Sequence, residues 1–159
     1  MMTSGSTVVT VPTDTQILIT RDFNAAKHLV YKAWTTPSLI KRWWSGDHGE
    51  VTIAEVDLRV GGKWRYVMTA SKGFEVAFHG VYREIVPNER IVWTEVFEAM
   101  PDGDAVNTVT FSEADGRTTL TLLIQVASKE ERDAMISSGM EHGVRAQMDN
   151  LEKIAISLA

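Results

Sequence analysis

Residues 128 to 158 carry the periodicity of one long amphipathic helix, in a chain that otherwise alternates at strand spacing. Met140, Val144, Met148, Leu151, Ala155 and Leu158 recur every three or four positions and so share one face. Ser128 followed by Glu131 has the spacing of a capping box at the helix start. Glu141 with Arg145, and Asp149 with Lys153, sit one turn apart, each pair adding ~0.2–0.5 kcal/mol. Gly139 and Gly143 each cost the helix ~1 kcal/mol relative to Ala. They either loosen its start or leave room beside it. A helix of this length buries its apolar face by lying across a sheet, and across a strongly curved sheet it encloses a space.

The rest of the chain supplies the sheet. Gln16 to Phe23 alternates, with Ile17, Ile19 and Arg21 on one face. Asn24 has the chemistry of an N-cap for a short helix carrying Leu29, Val30 and Trp34. Thr36-Pro37 starts a second short helix with Trp43 and Trp44 near its end. Further strands are expected over 52–59, 63–69, 74–86, 90–98, 106–112 and 118–126. Gly80 marks a bulge or bend, and Asp115-Gly116 is a hairpin signal. Short connections throughout imply an antiparallel sheet.

The expected fold class is therefore α+β: a curved antiparallel sheet of about six to seven strands wrapped on a long C-terminal helix, with two short helices after the first strand. Residues 1–14, rich in Thr and Ser, read as a flexible leader without the features of a secretory signal. Residues 15–159 read as one domain, in keeping with a 159-residue chain.

Charge and composition narrow the function. A net charge of −5 argues against nucleic-acid binding. The chain contains no cysteine, which removes disulfide and thiolate chemistry and suits a reducing, cytoplasmic location. No apolar run reaches the ~18 residues a membrane span needs. The four histidines lack paired ligand spacing, so no metal is expected. No Gly-x-Ser-x-Gly elbow is present, and Gly61-Gly62-Lys63 is not a phosphate loop. Asp47-His48 reads as a solvated loop rather than a polarised base. No cofactor is expected.

Several segments, taken in order, form a recognisable set. They are Trp43-Trp44 after the Thr-Pro start, Asp57 to Trp64 (DLRVGGKW), His79 to Ile85 (HGVYREI), Pro87 to Ile91 (PNERI) and Gly139-Met140-Glu141. Together they resemble bacterial proteins similar to the C-terminal domain of the activator of the 90-kDa heat-shock protein ATPase. These belong to the START/SRPBCC superfamily with its helix-grip fold, and the resemblance spans about residues 16 to 158. It implies an apolar or aromatic small molecule held between helix and sheet. The chaperone-activating members are larger eukaryotic proteins with an additional N-terminal domain, for which 159 residues leave no room, so chaperone binding is not the expected role.

Candidate site residues follow from strand faces. Glu95 shares a face with Ile91, Trp93 and Phe97. If that face points inward, desolvation raises its pKa and makes it a candidate ligand anchor or general acid. Glu84 is a weaker case of the same kind. Trp43, Trp64, Tyr66, Met68, Trp93, Glu95, Met140 and Val144 are the expected ligand-binding set, aromatic and adaptable side chains around few polar anchors. The principal reading is a small-molecule binding protein. Alternatives are a polyketide cyclase or aromatase-like enzyme using a carboxylate or His, and a co-chaperone-like or stress-response interaction. A homodimer stays open.

Overall fold

The computed structural model describes residues 7–47, 49–101 and 103–159; Met1 to Ser6, His48 and Asp102 lie outside the described residues, and with them the Asp47-His48 pairing. Among the described residues the elements run β1 (Val8–Thr10), β2 (Gln16–Phe23), α1 (Lys27–Thr35), α2 (Pro37–Trp43), β3 (Gly49–Val56), β4 (Lys63–Ala70), β5 (Glu75–Val86), β6 (Arg90–Phe97), β7 (Asp104–Ala114), β8 (Arg117–Gln125), α3 (Lys129–Ser137) and α4 (Met140–Ser157). The strands form one open antiparallel sheet in the order β1-β2-β8-β7-β6-β5-β4-β3. From β3 to β8 the chain meanders across the sheet. The helical excursion α1–α2 carries it from β2, near one margin, to β3 at the other.

The expected α+β class is what the chain adopts. The strands number eight rather than six to seven, because part of the segment expected as a leader is ordered. Val8-Val9-Thr10 is β-branched throughout and pairs with Leu18 to Thr20 at the sheet margin. Thr7 just before it is buried, its hydroxyl accepting from Arg21 Nη1 at 2.9 Å.

The C-terminal helix is also two helices. Gly139 adopts φ +85° between α3 and α4, a left-handed conformation that ends one helix and starts the next. The Ser128 cap forms, accepting from the Glu131 N–H at 3.2 Å, but the Glu131 carboxylate reaches back to the Ala127 N–H, one residue earlier than a capping box requires. α3 buries none of its residues, whereas α4 buries Met148, Leu151, Glu152, Ile154 and Ala155. Gly46 lets the loop after α2 approach α4: a Cβ there would come within 3.2 Å of the Gly143 carbonyl oxygen and the Ala146 methyl. That loop is fastened to α4 by Gln147 on the Trp44 carbonyl and by Asn150 on the Gly46 carbonyl.

Helix α1 starts at Ala26 with no side-chain cap of its own, not at Asn24. The Glu113 carboxylate of β7 takes the Lys27 N–H at 2.7 Å, so a neighbouring strand supplies the cap. Pro37 opens α2 as expected, while the Thr36 hydroxyl turns back to the Lys32 carbonyl. Asp115 and Gly116 have φ +54° and +75°, the left-handed pair of a tight hairpin turn. Gly80 is needed for close approach rather than for a bulge: a Cβ there would run into the Thr94 carbonyl oxygen and the Trp64 indole nitrogen. The strand irregularity lies further on, between Tyr82 and Glu84.

Helix and sheet are joined by a buried ionic network. Arg21 in β2 has no exposure and Glu152 in α4 only 3%. Arg21 Nη2 donates to Glu152 Oε1 and Nη1 to Asp149 Oδ1, both at 2.9 Å. Glu152 Oε2 accepts the Asn24 N–H at 2.9 Å. Asp149, expected to pair with Lys153, thus serves Arg21, whereas the Glu141–Arg145 pair forms as spaced at 2.9 Å. Removing one partner of a buried ion pair leaves the other desolvated and costs ~3–5 kcal/mol. Glu152→Ala is therefore expected to lower stability in urea by that order, against at most ~1 kcal/mol for Asp149→Ala, whose side chain is 48% exposed. Equal losses for the two variants would contradict the burial argument.

Candidate functional site

The face of the sheet toward the helices is set by alternation along each strand. In β6 the inward positions are Ile91, Trp93, Glu95 and Phe97, as the sequence pattern requires. In β7 they are Ala105, Asn107, Val109 and Phe111. Antiparallel register places Tyr82 of β5 opposite Trp93, and Trp93 opposite Asn107. Glu95 stands opposite Ala105 on one side. Continuing the β5–β6 register puts Gly80 opposite it on the other. The two smallest side chains available flank this carboxylate, and the Trp64 indole lies over Gly80, donating to the Thr94 carbonyl at 3.0 Å.

Polar groups converge here. Asn107 Nδ2 donates to Glu95 Oε1 at 3.4 Å. Asn107 is 4% exposed, and its Oδ1 finds no hydrogen-bond partner among the described residues. A buried amide oxygen without a partner is costly, at ~1–3 kcal/mol. Tyr66 and Tyr82 place their phenols in the same buried region, and burial pushes both well above their usual range. Glu95 is half-buried; desolvation raises its pKa from about 4.5 to about 7, against a smaller lowering effect of a hydrogen bond from the Trp93 side chain.

Aromatic rings enclose the cluster. Trp44 meets Tyr66 and Phe78 edge-on, each at 5.3 Å, and Trp64 lies 4.8 Å from Tyr66. Trp34 contacts Trp93 at 6.1 Å. The eight expected ligand-binding residues are thus distributed unevenly. Trp64, Tyr66, Trp93 and Glu95 come together on the inner face. Met140 and Val144, in the first turns of α4, pack against the core from the helix side. Trp43 closes the α1–α2 corner, its indole donating to the Ala33 carbonyl at 2.9 Å and its ring 5.0 Å from Trp34. Met68 lies apart from the core, in a surface hollow of about 360 Å³ with Phe74 and Val76. Glu84 points outward and pairs with Arg90. Asn107 was not singled out from the sequence, although a lone amide at an inward position between Ala105 and Val109 is a visible break in an apolar series.

The opposite face of β3–β5 carries an open groove of about 750 Å³ lined by Glu55, Lys63, Arg65, His79 and Glu98. There Arg65 holds Glu98 through two hydrogen bonds of 2.9 and 3.0 Å, and His79 Nδ1 lies 2.9 Å from the same carboxylate. These partners hold Glu98 down at about 2. Among the described residues no three His, Asp or Glu side chains gather as a metal site, and no helix is long and apolar enough to cross a membrane.

An open antiparallel sheet, two short helices after its second strand and a C-terminal helix anchored across it define a START-like α+β domain. The chain belongs to the family described as Activator of Hsp90 ATPase homolog 1-like protein, whose pattern matches residues 24–155. Solved structures agree at the level of fold. A protein from Rhodobacter sphaeroides is 22% identical with a TM-score of 0.88, covering 96% of this chain and 99% of its own. One from Chromobacterium violaceum is 26% identical with a TM-score of 0.79, covering 90% and 98%. One from Arthrobacter aurescens is 24% identical with a TM-score of 0.85, covering 94% and 91%. A comparison with curated proteins returns no match.

The raised pKa of Glu95 has a consequence for stability. Between about pH 4.5 and 7 the folded state holds a proton that the unfolded state has released. Stability is therefore fully present below pH 4.5 and declines as pH rises through 7, by an amount on the order of 2–3 kcal/mol. Glu95→Gln is expected to remove that slope from pH-dependent urea denaturation, and carbon-detected NMR is expected to place the carboxyl midpoint near 7. A midpoint near 4.5 would overturn the desolvation argument.

Proposed function

We propose that this protein binds a small apolar or aromatic molecule on the inner face of the sheet, beneath α4. The observation that carries the reading is Asn107 Oδ1, a buried acceptor lacking a partner among the described residues in an aromatic surround. Binding sites for small molecules are mostly apolar with a few convergent polar groups, and Glu95, Asn107 and the Tyr66–Tyr82 pair supply those groups. Ala105 places only a methyl group beside the carboxylate, and Gly80 on the other side lets the Trp64 indole come close to it. Met140 and Val144 give the helix side an adaptable apolar lining.

The raised pKa of Glu95 favours a second reading, in which the bound molecule undergoes proton transfer. A carboxyl group titrating near neutrality is matched to acid–base work. The two readings separate on Glu95→Gln, which under the second abolishes turnover of a bound ligand while leaving it bound.

The first reading is tested by denaturing protein purified from cells and examining the extract by mass spectrometry. A co-purified apolar or aromatic compound, released from wild type and reduced at least tenfold in Asn107→Leu of equal fold by circular dichroism, is expected. Equal recovery from the variant would place the compound elsewhere. Repeated blank extracts, with no aromatic probe shifting the Trp64 and Trp93 indole NMR signals, would defeat the reading.

A further inference from the structure

The polar groups on the inner face are unbalanced in one direction. Glu95 and Asn107 Oδ1 are acceptors; among the described residues Asn107 Nδ2 donates to Glu95 at 3.4 Å, and no group donates to Asn107 Oδ1. No cationic side chain among the described residues acts on Glu95. Arg21, buried on the same sheet, is committed to Asp149 and Glu152. The Trp64 indole lies over Gly80 beside Glu95, Trp93 shares its strand face, and Tyr66 packs against Trp64. A desolvated carboxylate, an unserved amide oxygen and electron-rich ring faces all favour a positively charged donor.

We infer that the molecule held at this site is a protonated amine with an apolar or aromatic body, its ammonium group paired with Glu95, donating to Asn107 Oδ1 and resting against Trp64 and Trp93. This rests on the binding reading above and assigns the ligand's charge within it. A neutral alcohol satisfies Asn107 but leaves the carboxylate without a counter-ion. A carboxylic acid brings a second negative charge to a site with no cation. The amine is the one of the three that serves both acceptors, and it does so with as many as three N–H donors on one atom.

The test uses three probes of matched size: 2-phenylethylamine, 2-phenylethanol and 3-phenylpropanoate. Each is titrated at pH 7.5 into the full chain, and indole N–H and Asn side-chain NMR signals are followed. The amine is expected to shift the Trp64, Trp93 and Asn107 signals with a dissociation constant at least tenfold below that of the alcohol, with the acid weakest. In Glu95→Gln, which keeps the side chain's size and acceptor oxygen, the amine is expected to lose at least tenfold while the alcohol changes less than twofold. Equal or tighter binding of the alcohol, or an amine preference that survives Glu95→Gln, would overturn the charge assignment and leave the binding reading standing. If none of the probes moves these signals, the amine assignment fails, and the binding reading is judged separately by the extract.

Discussion

Arg21 crosses from the second strand to the last helix without exposure to water, and the position of everything above the sheet follows from that crossing. Its side chain ties together Thr7, Asp149 and Glu152, while Glu152 in turn receives the Asn24 backbone where the chain leaves β2 for α1. One guanidinium thus locates the N-terminal strand, the entry to the short helices and the body of α4. A buried charge tolerates few arrangements, because each alternative strands an ion in an apolar medium. The apolar stripe of α4 favours burial in general; the ion pair selects the rotation and height at which it is buried.

With α4 located, the loop after α2 is located too. Gln147 and Asn150 hold the Trp44 and Gly46 carbonyls, and the absence of a side chain on Gly46 permits the close approach. Trp44 is thereby presented to Tyr66 and Phe78, and the aromatic wall closes over β4 and β5. The wall excludes water from a sheet face that nonetheless carries a carboxylate, an amide and two phenols. That combination explains the direction of each perturbed group: Glu95, Tyr66 and Tyr82 are raised by loss of solvation, whereas Glu98, on the wet face and paired with Arg65 and His79, is lowered.

Much of this was legible in the order of residues. Period-two alternation located the seven longer strands, and the inward face of β6 with Glu95 on it came from the same count. What escaped was long-range. Nothing local distinguishes Glu152 from a solvated helix glutamate, because its partner lies in β2. Asn24 looked like a cap because Asn usually is one, yet the cap came from Glu113 on a distant strand. The one long helix was expected because α3 and α4 share an apolar period. Gly139 interrupts it by adopting a left-handed conformation, and spacing counts carry no information on dihedral angle. Val8 to Thr10 had no sequence partner nearby and found one at the sheet margin.

The interruption at Gly139 divides the C-terminus into two pieces with different duties. Every fastening to the sheet and to the α2 loop named above lies on the later piece, and the earlier one buries no residue. The segment Lys129–Ser137 is held more lightly, by Met135 against the core and by Arg132 on the Thr13 carbonyl at 2.9 Å. Its exposed residues are open to contacts with other molecules, while the anchor to β2 and to the loop after α2 stays with α4.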